Sequence, residues 1–151
     1  MGDGYAGLQI EETTAAAVAE FLIVAWDQAD TERYAGANLD WSARRVITRA
    51  VFTECGETVG VARFRVQAGV AYLSEIVVRH DVQGQGIGTA LLADFEARAR
   101  AAGCHKLALI TDGSGPARRF YEGRGYQVEG TLRHHYHGLD FVTMSKFPSG
   151  S

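Results

Sequence analysis

Cysteine is scarce in this 151-residue chain. Cys55 and Cys104 stand far apart and in no C-x-x-C pair, which argues against a disulfide framework and against a structural zinc site. Basic charge is also short. Lys plus Arg number 15 against 18 Asp plus Glu, for a formal net charge of -3 and a pI near 5.9. A nucleic-acid binder needs a basic surplus on one face, so that class is set aside; a mildly acidic surface suits a cationic partner, though weakly. Long apolar runs are missing too. The longest, Phe21–Trp26, is bounded by Glu20 and Asp27 and is too short to span a bilayer. The start, Met1-Gly2-Asp3-Gly4-Tyr5, has neither the basic nor the apolar region of a secretory signal, and Ala6 stands where a myristoylation site wants Ser or Thr. These absences set the expectation of a cytoplasmic protein without membrane association.

What is present is an ordinary globular balance, 46% hydrophobic and 22% charged. The length suits one domain with its own core, taken as residues 1–151 with an ordered part of about 6–147 and an unstructured tail from Pro148. Residues 7–12 read as a short first strand. Thr13 or Thr14 then caps a helix running to about Ala29, with Val18, Phe21, Leu22 and Ala25 on one stripe. A short second helix and loop is expected in 31–44, around Tyr34 and Trp41. Strand signals follow at 46–53, 58–67 and 70–79. Turns at Gly56 and Ala68-Gly69 make them antiparallel.

The period changes at Gly86. Ile87, Leu91, Phe95 and Ala99 recur at helical spacing to Ala102, and Gly103 ends that helix. Lys106–Thr111 is a buried strand. Pro116–Arg124 is a further helix with proline in its first turn. Residues 126–132 and 139–147 form a last strand pair across a polar loop that holds His134, His135 and His137. The strand–helix–strand unit 70–111 should be right-handed and parallel. The fold expected is α/β with a mixed sheet of about seven strands, antiparallel in its N-terminal part and parallel in the centre, flanked by about four helices.

Chemistry concentrates in Val77–Thr89, where a strand runs into glycines that open a helix. Glycines allow close backbone approach and turn N–H groups toward one point. The first N–H groups of a helix have no internal partner, and the helix dipole adds partial positive charge there. The result is an anion site suited to a phosphate or diphosphate. A P-loop is excluded because no Lys follows Gly86 or Gly88. A dinucleotide G-x-G-x-x-G is excluded because Thr89 and Leu91 occupy its third glycine in either frame. Gln83-x-x-Gly86-x-Gly88 remains.

That pattern resembles the acyl-CoA-binding signature of the GNAT superfamily of N-acetyltransferases, Arg/Gln-x-x-Gly-x-Gly/Ala between the fourth strand and the third helix. A second block, Ala117-Arg118-Arg119-Phe120-Tyr121-Glu122-Gly123-Arg124-Gly125-Tyr126, is similar to the family's A-x-x-(F/L)-Y-E-x-x-G-(F/Y) run. Either block alone is weak; two at the expected separation are specific. The resemblance is clearest over 70–130. It implies attack of a primary amine on the thioester of acetyl-CoA as co-substrate, with no metal. It also implies diphosphate contacts from Gly84, Gln85, Gly86, Ile87, Gly88 and Thr89 behind Gln83. The strand edge at Ile76, Val77 and Val78 would pair with the pantetheine arm, with the amide of Val77 or Val78 as oxyanion donor. Gln85 stands where many members carry Arg or Lys; Arg118 or Arg119 could compensate. Ser114 occupies the place of a cofactor-contacting Asn and could equally be a helix cap.

Tyr121 falls at the family's general-acid position, yet it shares a helical face with Ala117 and Arg124, as core packing alone would also produce. Glu75 is the candidate base. Strict alternation puts it on one face with Leu73 and Val77, where apolar neighbours would raise its pKa; a solvated sheet face is the plain alternative, and Asp112 with a water chain is another base. The three histidines lack a supporting carboxylate or thiol at ligand spacing, so a solvated hairpin tip is expected there and not a metal site. Asp27, Asp30 and Glu32 could attract a cationic acceptor among Trp26, Tyr34 and Trp41. The acceptor, a small molecule or a peptide amine, is not legible, nor is acyl chain length. Oligomeric state is not legible either, although proteins of this kind often pair as homodimers. A non-catalytic acyl-CoA sensor is the rival reading.

Overall fold

The structure is a computed structural model of the chain, describing residues 7–35, 39–41 and 43–148. The expectations for residues 1–6 and for the tail beyond Pro148 lie outside the described residues, as does part of 31–44. By its internal contacts the chain falls into two units, Met1–Leu39 and Asp40–Ser151.

The first unit contains helix α1, Ala15–Arg33. Thr14 caps it, its Oγ1 accepting the Ala17 N–H at 3.2 Å, which satisfies one of the donors a helix start leaves orphaned. The helix runs about one turn past the expected end because no glycine or proline interrupts Ala29–Arg33. It carries no buried residue, and its large apolar side chains, Phe21 and Trp26 among them, are exposed. Leu8–Thr14 form no strand.

The second unit is built on strands β1 (Arg44–Phe52), β2 (Thr58–Gln67) and β3 (Val70–Val78), then helix α2 (Ile87–Ala101) and strand β4 (Lys106–Asp112). Helix α3 (Pro116–Glu122) and strands β5 (Gln127–Leu132) and β6 (Phe141–Lys146) complete it. The sheet order is β1-β2-β3-β4-β6-β5, with β3 and β4 parallel and every other neighbour antiparallel. The described residues therefore hold six strands and three α-helices, against about seven and about four expected. The shortfall comes from residues 7–12, none of which is in a strand, and from the described residues of 31–44, which hold no helix beyond Arg33.

Ala68 and Gly69 both take positive φ, 51° and 80°, as a two-residue hairpin turn demands. Leu91, Leu92, Phe95 and Ala99 are the buried face of α2, three and four residues apart as one helical stripe requires. Phe95 meets Phe64 of β2 edge-on, with ring centres 4.9 Å apart, and Leu73, Leu107, Leu109 and Met144 close the same core. Each such side chain contributes about 1.5–3 kcal/mol by leaving water. Arg49 of β1 clamps α2 from outside through a bidentate bond to Asp94, at 2.8 and 3.2 Å.

Two irregularities in β3 open its edge and re-aim its side chains. Its pairing with β4 covers only Val70 to Leu73, although β3 runs on to Val78; beyond Leu73 the two strands part. The β2–β3 register also slips, from Arg63↔Glu75 to Phe64↔Leu73. Ser74 is thus the extra residue of a β-bulge.

Candidate active site

The bulge decides which side chains of β3 face which way. Across an antiparallel ladder, directly paired residues share a face, so Leu73 lies with Phe64 and Ile76 with Ala62, all on the side of α2. The expectation that Leu73, Glu75 and Val77 share a face is therefore corrected: one inserted residue moves Glu75 and Val77 to the opposite side. There Glu75 pairs with Arg63 at 2.7 Å, with a side chain 41% exposed. Nearby on the same face the Arg65 guanidinium covers the Tyr72 ring at 4.1 Å, and Val77 is exposed.

The backbone of β3 sorts in the same way. The Arg79 N–H donates to Val59 O of β2 at 2.8 Å. Amide direction alternates along a strand, so Val77 also turns toward β2, and Ile76 and Val78 turn toward the side where β4 has departed. The Gln83 side chain agrees, its Nε2 donating to Val78 O at 3.1 Å on that open side. Of the three residues expected to offer an edge to a ligand, Ile76 and Val78 present it; Val77 does not, because its peptide groups belong to the β2 ladder.

From Val78 the chain makes one 3₁₀ turn, His80–Val82, and enters the glycine loop. Gly84 and Gly86 take φ of 81° and 84°, with open space where a Cβ would stand. Glycine is required there by backbone conformation and not by crowding. Gly86 is the N-cap of α2. Among the described residues, the N–H groups of Gly84 through Thr89 meet no protein acceptor; the first that does is Ala90, donating to Gly86 O at 3.0 Å. Six amides in a row at the positive end of a fifteen-residue helix make an anion cradle.

A cleft of about 530 Å³ runs from this loop along β3 to α3, a volume within the range of small-molecule sites. Ile76 and Val78 line it from β3, Gln83, Gly84, Gly86, Ile87, Gly88 and Thr89 from the loop, and Tyr121 from α3. Gln85, Glu75, Val77 and Ser114 do not line it. Ser114 is instead held by Asp112 at the end of β4, whose Oδ1 accepts its N–H at 2.8 Å, so it belongs to the turn between β4 and α3.

Tyr121 is the buried member of α3. Its ring sits edge-on to Phe120 and Tyr126, with centres 5.2 and 5.7 Å away. Burial pushes its phenol above the usual value, so it stays protonated through neutral pH. Pro116, Ala117, Phe120 and Arg124 also line the cleft and were not singled out as site residues from sequence. For Arg124 a signal existed, namely the helical face it shares with Ala117 and Tyr121.

Among the described residues no cluster of His, Cys, Asp and Glu is placed to hold a metal ion. His135 packs on Tyr136 and Phe141 at ring-centre distances of 4.3 and 6.0 Å. His137, with φ 54°, sits in the short turn Tyr136–Gly138. No helix among the described residues is long and apolar enough to cross a membrane.

Comparison with known proteins gives the arrangement its context. The uncharacterized protein YdhI of Bacillus subtilis is 34% identical over 79 residues, 52% of this chain and 48% of that protein; the chain thus spans about half the length of this curated relative. The crystal structure of an acetyltransferase from Bacillus cereus superposes with a TM-score of 0.74 over 93% of this chain and 97% of that one, at 21% identity. The ribosomal-protein-S18-alanine N-acetyltransferase of Escherichia coli superposes with a TM-score of 0.64 over 71% and 72%, at 26% identity. The model of the acetyltransferase (GNAT) family matches residues 11–126. With the match covering well over half of the sequence, this chain belongs to the GNAT family of acetyltransferases.

Proposed function

We propose that the chain transfers an acetyl group from acetyl-CoA to a primary amine by direct attack. The observation that carries this reading is the junction of three features in one cleft: the acceptor-free amides of Gly84–Thr89, the unpaired edge of β3 at Ile76 and Val78, and the protonated phenol of Tyr121. The residues fit the nucleotide at the loop, where a diphosphate meets N–H donors and a helix N-terminus and no carboxylate lines the cleft.

When bound, acetyl-CoA supplies the activated acyl group as a thioester. Gly84–Thr89 hold its diphosphate end. The open edge of β3 pairs with the amide-bearing arm as an added strand would, which carries the arm away from the loop past Val78 and sets the thioester toward Ile76. The Ile76 amide, on the open edge away from the loop, then donates toward the carbonyl oxygen as negative charge gathers there. Tyr121 gives its proton to the departing sulfur. Glu75 stands on the opposite face beside the parting of β3 and β4, oriented by Arg63, and takes the proton of an amine that arrives from that face.

A thiol-release screen with acetyl-CoA across amine classes tests the proposal, covering small metabolites, polyamines and peptide N-termini. Release that depends on at least one amine is the expected result. Silence on every class, with coenzyme A still bound, would favour a sensor. Glu75→Gln should lower kcat/KM at least tenfold, measured by steady-state thiol release; a change under twofold would remove Glu75 from the mechanism.

A further inference from the structure

Arg124 follows the last turn of α3 and reaches back across the cleft to the start of α2. Its Nη2 donates to Thr89 Oγ1 at 2.6 Å and its Nη1 to Phe120 O at 3.0 Å. The guanidinium lies over the Phe120 ring, 3.9 Å from its centre, so its plane is fixed. Seven other Arg and Lys side chains in the described residues pair with carboxylates: Arg49, Arg63, Arg79, Arg98, Lys106, Arg118 and Lys146. Arg124 pairs with none among the described residues, although it is half-buried. Its Nε is a buried donor with no hydrogen-bond partner.

A buried donor left unsatisfied is destabilising, and a half-buried cation without a counter-ion adds to that cost. Native structures keep such groups rarely and for a reason. Two of the five N–H donors of this guanidinium are engaged, and its anchor, Thr89, ends the row of acceptor-free amides. Arg124 lines the cleft beside that row, and each of its two terminal nitrogens keeps one N–H to spare for phosphate oxygens, which arginine binds in a bidentate manner.

We propose that Arg124 is a ligand of the coenzyme A diphosphate, supplying from α3 the positive charge that Gln85 does not supply from the loop. The inference rests on the acetyl-CoA reading and adds one residue to it. Arg118 and Arg119 are not its equivalents. Arg118 is tied to Glu122 and to Gly113 O, at 2.6 and 2.8 Å, and Arg119 does not line the cleft.

The test is calorimetric binding of coenzyme A and of 3′-dephospho-coenzyme A to the full chain, wild type against Arg124→Gln and Arg124→Lys. A charged phosphate contact predicts about 10- to 100-fold weaker binding of both ligands by Arg124→Gln, and a smaller loss by Arg124→Lys, which keeps the charge without the fork. Thermal unfolding of the ligand-free variants is read in parallel. Unchanged affinity in a folded Arg124→Gln, with or without a lowered midpoint, would reduce Arg124 to a clamp between α3 and α2 and overturn the inference. A loss confined to coenzyme A would move Arg124 to the 3′-phosphate and overturn it as well. If Arg124→Gln does not fold, Arg124→Lys decides by the same criterion. Wild-type protein that binds neither ligand would end the acetyl-CoA reading itself, whereas wild-type binding with unaffected variants ends only the role of Arg124.

Discussion

Replacing Tyr121 by Phe removes one oxygen and leaves the ring. The edge-on contacts with Phe120 and Tyr126 survive, and no described residue hydrogen-bonds the hydroxyl, so no partner is left unsatisfied. Stability should change by no more than about 0.5 kcal/mol, a shift of about 2 °C or less in the unfolding midpoint of a chain this size. Activity should respond differently. General-acid catalysis contributes about 10²–10⁴-fold, and the low end applies here. A thiolate whose conjugate acid has a pKa of about 8.5 is a good leaving group, and a phenol above 10 is a weaker acid than the thiol it forms. The expected loss in kcat is therefore about 100-fold, or ~2.7 kcal/mol of barrier, with the dissociation constant for coenzyme A within twofold of wild type. Thiol release at saturating amine measures the first quantity and calorimetry the second. Burial raises the Tyr121 pKa, so the proton is held until pH passes above the ordinary tyrosine range; a fall in wild-type kcat that tracks this group must begin above pH ~10. A kcat within threefold of wild type, or a kcat loss matched by lost coenzyme A affinity, would refute the assignment and return Tyr121 to core packing.

Other perturbations draw on the same geometry. Gly86→Ala forces a left-handed residue to carry a Cβ at φ 84°, at a cost of about 1–2 kcal/mol; it should weaken coenzyme A at least fivefold by calorimetry, because relief of that strain turns the cradle amides away. Gly60→Val places a branched side chain where even a Cβ would stand 2.9 Å from Ile87 and 3.1 Å from Leu91, so the start of α2 must lift off β2; about 1–3 kcal/mol of lost stability is expected in urea unfolding. The hydrogen bond and charge of Arg49 hold the Asp94 carboxyl below the usual carboxylate range. With the folded pKa depressed, this contribution is full above the unfolded value and disappears as pH falls through the folded one. Asp94→Asn should then flatten the fall in stability below about pH 4, as followed by thermal midpoints.

Much of this arrangement is legible in the amino-acid order. The bounds of β2 can be read because a glycine turn stands at each end, and those of α2 because Gly86 and Gly103 bracket a helical stripe. The anion cradle follows from the same glycines. The faces of β3 are not legible. A bulge at Ser74 depends on how two strands settle their register, and nothing in Leu73-Ser74-Glu75 announces it; the error carries into the face assigned to Glu75 and the edge assigned to Val77. Residues 7–12 alternate as a strand should, yet alternation is necessary for pairing and does not cause it. Arg124 shows in the sequence only as a companion of Ala117 and Tyr121 on one helical face; that it has no carboxylate partner among the described residues, and no partner for Nε, sequence cannot display.

Amide hydrogen exchange with and without coenzyme A tests the central claim most directly. The six N–H groups of Gly84–Thr89 should exchange freely in the unliganded chain and become strongly protected on binding, while pantetheine, which has no diphosphate, leaves them unprotected. Protection that appears elsewhere, or that pantetheine produces equally at this loop, would contradict the account.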